Sequence, residues 1–174
     1  MAHTVLLVPV PALEPWVRSR HLLEGPEWLS PDPGHVHAHV TVLGPFLAEP
    51  EIGDGVHATL AEVAAATEPF GFALEEVRTF PSGLIHLHPD PPEPFAALTN
   101  ALVERFPDHP PYAGEYPAVP HLSLAAHGPG RDAAVVAREL SGVLPVRAWA
   151  DEVALVRYAE HDTRTLCTYP LGRR

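Results

Sequence analysis

Two short strings of one kind, His39-Val40-Thr41-Val42 and His121-Leu122-Ser123-Leu124, lie in the two halves of this 174-residue chain, each inside a stretch that reads as a β-strand. Side chains alternate between the faces of a strand, so each His and the hydroxyl two residues on share one face while the intervening Val or Leu enters the core. If the halves pack about a pseudo-two-fold axis, the strings face each other across a groove and deliver two imidazoles and two hydroxyls to one point.

That set suits in-line displacement at phosphorus. Hydrolysis of a phosphodiester without a metal needs a base to take a proton from the attacking water and an acid to protonate the departing oxygen. An unperturbed imidazole titrates near pH ~6.5, so near neutrality one His can be neutral and its partner protonated. The hydroxyls of Thr41 and Ser123 can donate to the non-bridging phosphoryl oxygens, where charge accumulates. One such string alone is weak evidence, because His in a strand is often no more than a satisfied polar residue. Two copies with the same flanking apolar pattern are harder to assign to chance.

Hydrophobic periodicity places Thr4 to Val10 in a buried strand and Leu13 to Leu23 in a helix with Trp16, Leu22 and Leu23 among its apolar positions. Gly25 to Gly34 is a loop, and Val36 to Leu43 is the first motif strand, ended by Gly44-Pro45. A helix from about Val56 to Thr67 carries Leu60, Val63 and Ala64 on one face, with Pro69 just beyond its end. Phe72 to Thr79 and Leu84 to Leu87 read as a hairpin, Phe95 to Phe106 as a helix, and Asp108 to Pro120 as a loop. The second motif strand, His121 to Ala126, precedes a helix from Arg131 to Leu144 and strands at Val146 to Tyr158 and Thr165 to Leu171. Helices alternating irregularly with strand pairs indicate an α+β fold. We expect two pseudo-symmetric lobes, each an antiparallel sheet with outer helices and the groove between them, forming one domain over residues 1–174.

Composition narrows the partners. No apolar run is long enough for a membrane helix, the first residues lack a basic n-region, and Val5 to Val10 is short and interrupted by proline, so a cytoplasmic protein is expected. The one cysteine, Cys167, has no intramolecular partner and reads as a buried, inert thiol. A formal charge of -11 argues against duplex DNA or long RNA held through its phosphates. A small nucleotide or an RNA end fits better, and we expect a monomer with no cofactor and no metal.

At this point the chain resembles a known family, the two-histidine (2H) phosphoesterases, whose signature is a pair of His-x-Thr/Ser-x motifs. The likeness is to the bacterial 2'-5' RNA ligase family proteins, related to LigT and to eukaryotic cyclic nucleotide phosphodiesterases. It covers the opening strand His3-Thr4-Val5-Leu6-Leu7-Val8-Pro9 and the segment His39-Val40-Thr41-Val42-Leu43-Gly44-Pro45-Phe46. It continues through the approach from Pro110 to Pro117 and the segment Pro120-His121-Leu122-Ser123-Leu124. The resemblance implies a cyclic phosphodiesterase that opens a 2',3'-cyclic phosphate to a 2'-phosphomonoester, or cleaves or forms a 2',5'-phosphodiester. His39, Thr41, His121 and Ser123 would be catalytic, with His121 provisionally activating water and His39 protonating the leaving oxygen; quasi-symmetry permits the reverse. Many relatives carry a basic residue just after the second motif, where this chain has Ala125 and Ala126.

Other readings compete. His35, His37 and His39 alternate on one strand face, and His86 and His88 form a second His-x-His pair, spacings that can chelate Zn, Ni or Cu. Supporting carboxylates are absent near the first cluster, so His35 and His37 are expected to be rim residues. Tyr112, Tyr116 and Phe46 can form an aromatic wall on which a base stacks, with core packing or loop anchoring as the plain alternative, and Phe80 shares that ambiguity. Arg78, Arg157 and Arg164 are candidates for the missing phosphate contact, although most arginines are simply solvated. Glu51, Asp54, Glu75 and Glu76 read as exposed faces and helix-start charges. Two further functions stay open: a related enzyme acting on another metabolite phosphodiester, and a module that binds a nucleotide or RNA end without turning it over.

Overall fold

Strand-forming runs rich in Val, Leu, Ile and Thr suit a pleated, half-buried surface. In the computed structural model, which describes residues 2–172, they form β1 (His3–Pro9), β2 (His39–Phe46), β3 (Phe70–Thr79), β4 (Leu84–Asp90), β5 (Leu122–Ala126), β6 (Val146–Ala150), β7 (Glu152–Tyr158) and β8 (Arg164–Pro170). The helices are α1 (Glu14–Glu24), α2 (Asp54–Ala66), α3 (Glu93–Arg105) and α4 (Ala133–Glu139). The strands lie in the order β6-β3-β4-β5-β2-β1-β7-β8, and every adjacent pair is antiparallel.

This is the expected α+β architecture in two halves, β2-β1-β7-β8 and β6-β3-β4-β5. The halves are continuous with each other, because the two motif strands pair directly, Val40 opposite Leu122. One face of the sheet is covered by α2, α3 and α4, and the main core lies there. Leu6, Leu43, Leu87, Phe95 and Leu155 are fully buried in it. A smaller cluster of Val5, Leu7, Ala154 and Val156 occupies the opposite face of the first half.

Helix α3 shows why such segments form. Phe95, Leu98, Thr99 and Leu102 recur at helical spacing and are buried, Glu93 sits in the first turn and Arg105 in the last, each favoured by the helix dipole. Helix α4 starts where the Asp132 carboxylate accepts a hydrogen bond from the Val135 backbone N–H at 2.9 Å.

Four expectations need correction. Leu22 and Leu23 are 58% and 77% exposed, because α1 turns only Val17 fully inward. The helix expected over Arg131 to Leu144 is confined to Ala133–Glu139. The run Val146 to Tyr158 is two strands: β6 pairs with β3 at one edge of the sheet and β7 with β1 in the other half, the chain crossing over at Asp151. Cys167 is half-buried and unpaired.

Candidate active site

The register of β2 against β5 builds the site. With Val40 opposite Leu122 in an antiparallel pair, Thr41 falls opposite His121 and His39 opposite Ser123. Val40 and Leu122 are completely buried. Alternation therefore turns all four polar side chains to the face that α2, α3 and α4 leave open. A cleft of about 380 Å³ opens on that face, lined by His39, Thr41 and Ser123 together with His3, Trp28 and Tyr158. His121 adjoins it across from Thr41.

The two imidazoles are held alike. His39 donates from Nδ1–H to the carbonyl of His37 at 2.6 Å, and His121 from Nδ1–H to the carbonyl of Val119 at 2.7 Å. A carbonyl accepts only, so each ring carries its proton on Nδ1 and keeps the Nε2 lone pair for the cleft.

Their electrostatics differ. Burial pushes the His39 pKa down to about 4, with the His37 carbonyl opposing and the nearby His35, His21 and His121 rings adding to the depression. Burial also lowers the His121 pKa, with the Val119 carbonyl opposing and His88 adding to the effect.

The walls around them differ as well. On the first side the Glu14 carboxylate accepts hydrogen bonds from the backbone N–H groups of His37 and Ala38, at 2.6 and 2.9 Å, and from the His37 ring at 2.7 Å. The other His37 nitrogen accepts from the Ser30 backbone N–H at 3.0 Å. Tyr158 lies with its hydroxyl 3.5 Å from His39 Nδ1 and its ring stacked on His3. On the second side Phe80 stacks flat on His86 with centroids 3.8 Å apart and meets His121 edge-on at 5.0 Å. Tyr112 lies nearly parallel to His121 at 6.3 Å, carried by a turn in which Tyr112 and Ala113 have φ of 53° and 52°. That left-handed conformation is uncommon outside glycine and holds the ring where it is.

The remaining sequence candidates fall in different places. Phe46 is 5% exposed and packs edge-on against Phe106, far along β2 from His39, so the structure does not bring it to the cleft. Tyr116 is 66% exposed. His35 and His37 are buried rather than exposed on a rim, at 3% and 4% exposure, although the His37 ring still forms part of the cleft wall. Both nitrogens of His37 are committed to protein partners, and His35 Nδ1 is 3.0 Å from the Thr165 hydroxyl. His88 Nδ1–H donates to the Pro120 carbonyl at 3.0 Å. Among the described residues no group of three or more His, Cys, Asp or Glu is arranged to hold a metal, and no helix is long and apolar enough to cross a membrane. Arg157 and Arg164 are tied to Glu49 and Asp162, and Arg78 to Glu76.

His3, Trp28 and Tyr158 line the cleft although the sequence did not single them out. The strand alternation of β7 puts Tyr158 on the same face as Val156 and Ala154, but only the pairing of β7 with β1 brings it beside His39.

A profile of the 2'-5' RNA ligase superfamily matches residues 9–162. No curated protein matches the chain by sequence. Among solved structures, TT0787 of Thermus thermophilus is similar with a TM-score of 0.66 at 21% identity, covering 99% of each chain. E. coli LigT complexed with 3'-AMP gives a TM-score of 0.59 at 18% identity, with 99% of each chain covered. LigT complexed with ATP gives 0.57 at 18% identity, with 98% of each covered.

Proposed function

The chain belongs to the 2'-5' RNA ligase superfamily, LigT-like members of the 2H phosphoesterases, and from that premise we propose that it is a metal-independent phosphoesterase. Its substrate is a 2',3'-cyclic phosphate on a nucleotide or RNA end, and its product the 2'-phosphomonoester; cleavage or formation of a 2',5'-phosphodiester is the related reaction. It acts as a single-domain, cytoplasmic monomer. The observation that carries this reading is the crossed register of the motif strands, which sets each imidazole against the hydroxyl of the other motif on one open face.

The stronger depression of the His39 pKa supports an assignment of roles opposite to the provisional one. His39, neutral above a pKa of about 4, is the base: its Nε2 takes a proton from water as the water oxygen attacks phosphorus. His121, the less strongly shifted ring, is the acid: its Nε2–H protonates the 3' oxygen as the P–O3' bond breaks. Thr41 and Ser123 donate to the non-bridging oxygens as they gain charge. Run backwards, the same groups join a cyclic phosphate to a hydroxyl, but bulk water favours hydrolysis.

LigT has been seen with 3'-AMP and with ATP, which supports a small nucleotide as the ligand class. A related enzyme specialised for another small phosphodiester is the second reading, favoured by the cleft's dependence on imidazoles and hydroxyls and by the charge of -11. Phosphorus NMR of EDTA-treated protein with the four 2',3'-cyclic mononucleotides tests the proposal. A 2'-monoester resonance from the wild type supports it; a 3'-monoester, or activity only after a metal is restored, refutes it. Tight binding with no product would identify a binding module instead.

A further inference from the structure

A bound phosphodiester is an anion, yet among the described residues no arginine lines the cleft, and the chain contains no lysine. One arginine nevertheless lies on the same face of the sheet. In β3, Leu74 lies opposite Pro89 and Val77 opposite Leu87, so two residues of β3 bulge against one of β4. Leu74 is in the core, and strict alternation would send Arg78 there too. The extra residue reverses the phase: Val77 packs against the core, and Arg78 turns to the open face directly opposite His86. His86 in turn lies opposite Ser123, and Ser123 falls opposite His39.

Arg78, His86, Ser123 and His39 thus form one row across four adjacent strands. Neighbouring strands are about 4.8 Å apart, so Arg78 and Ser123 are separated by roughly two strand spacings, a gap spanned by an extended arginine and a phosphoryl group. Burial lowers the His86 pKa, with the Leu84 carbonyl opposing; the His121 and His88 rings and, last, the charge of Arg78 add to the depression. In its present position the guanidinium gives both Nε–H and an Nη2–H to one Glu76 oxygen, at 3.1 and 2.8 Å. Those side chains are 50% and 70% exposed, so solvent screens the pair and it is easily exchanged for another anion.

We propose that Arg78 leaves Glu76 to bind the anionic phosphoryl group of the substrate beside Ser123, and that Glu76 competes with the substrate for it. This assignment rests on the phosphoesterase reading, since it names the residue that supplies the fixed positive charge for that site. It is a binding residue, so its loss falls on KM and Kd more than on kcat.

Calorimetric binding of adenosine 2'-monophosphate, with kcat and KM for 2',3'-cyclic AMP, tests it on the wild type, Arg78→Met, Arg78→Lys, Glu76→Gln and the Arg78→Met/Glu76→Gln double variant. Arg78→Met is expected to raise Kd and KM about 10-fold or more with kcat little changed, Arg78→Lys to restore part of the loss, and Glu76→Gln to tighten binding about threefold. The double variant should match Arg78→Met, because Glu76 acts only through Arg78. Binding by Arg78→Met equal to the wild type, a Glu76→Gln gain that persists without Arg78, or no binding by the wild type would overturn the proposal. Arg78-dependent binding without turnover of any cyclic nucleotide would sink the phosphoesterase reading and leave Arg78 standing. Turnover with Arg78-independent binding would do the reverse.

Discussion

His39 is approached through a braced segment, in which Glu14 holds two backbone N–H groups and the His37 ring while Ser30 holds the other side of that ring. His121 is approached through a proline-rich turn, where the His88 ring bonded to the Pro120 carbonyl and the aromatic faces of Phe80 and Tyr112 stand in place of a carboxylate brace. The motif is repeated but the surroundings are not. Since the two rings share one tautomer and one backbone tether, their difference in acidity comes from burial and neighbouring charge. An acid and a base are thereby drawn from the same residue type.

The sharpest way to break this comparison is to remove each ring. His39→Ala and His121→Ala should each lower turnover by ~100- to 10,000-fold with the thermal midpoint little changed, as expected for general acid and base groups. Loss in only one of the two, measured by steady-state kinetics, would show that the halves do not work as a pair.

Glu14→Ala attacks the brace that only the first half has. Three hydrogen bonds to a carboxylate are lost and two buried backbone donors are left unpaired, so urea denaturation should show a loss of about 3 kcal/mol or more. His88→Ala, which releases one bond to the Pro120 carbonyl, should cost about 1 kcal/mol. Equal losses would mean that the two approaches are equally rigid after all.

Thr41→Val and Ser123→Ala probe the hydroxyls that the crossed register sets against the opposite imidazoles. Each should lower kcat by up to ~100-fold, since each removes one donor to the phosphoryl oxygens. The smallest effect is expected for Tyr158→Phe. Its hydroxyl is 3.5 Å from a nitrogen that already donates to the His37 carbonyl at 2.6 Å, so kcat should change by less than about threefold.

Much of this was legible in the chain. The motif strands, the α3 periodicity and the β3–β4 hairpin follow from alternation and spacing, which are local signals. The split between β6 and β7 was not: Val153, Ala154, Leu155 and Val156 are all buried, one pair against each face of the sheet, so a strand covered on both sides shows no alternation by which to detect the change of partner. The bulge that re-aims Arg78 was equally hidden, because it is defined against β4. His35 and His37 look like exposed rim residues by spacing, yet both are buried. Their burial depends on Glu14, Ser30 and Thr165, which come from elsewhere in the chain.

The measurement that bears most directly on the paired-imidazole mechanism is the pH dependence of kcat/KM for a 2',3'-cyclic nucleotide. His39 must be unprotonated, which requires a pH above about 4, and His121 must be protonated, which requires a pH below a value itself lowered from 6.5. The account predicts a bell with its maximum on the acid side of neutrality, whose acid limb disappears in the residual activity of His39→Ala and whose alkaline limb disappears in that of His121→Ala. A flat profile, or a bell that survives unchanged in either variant, would contradict it.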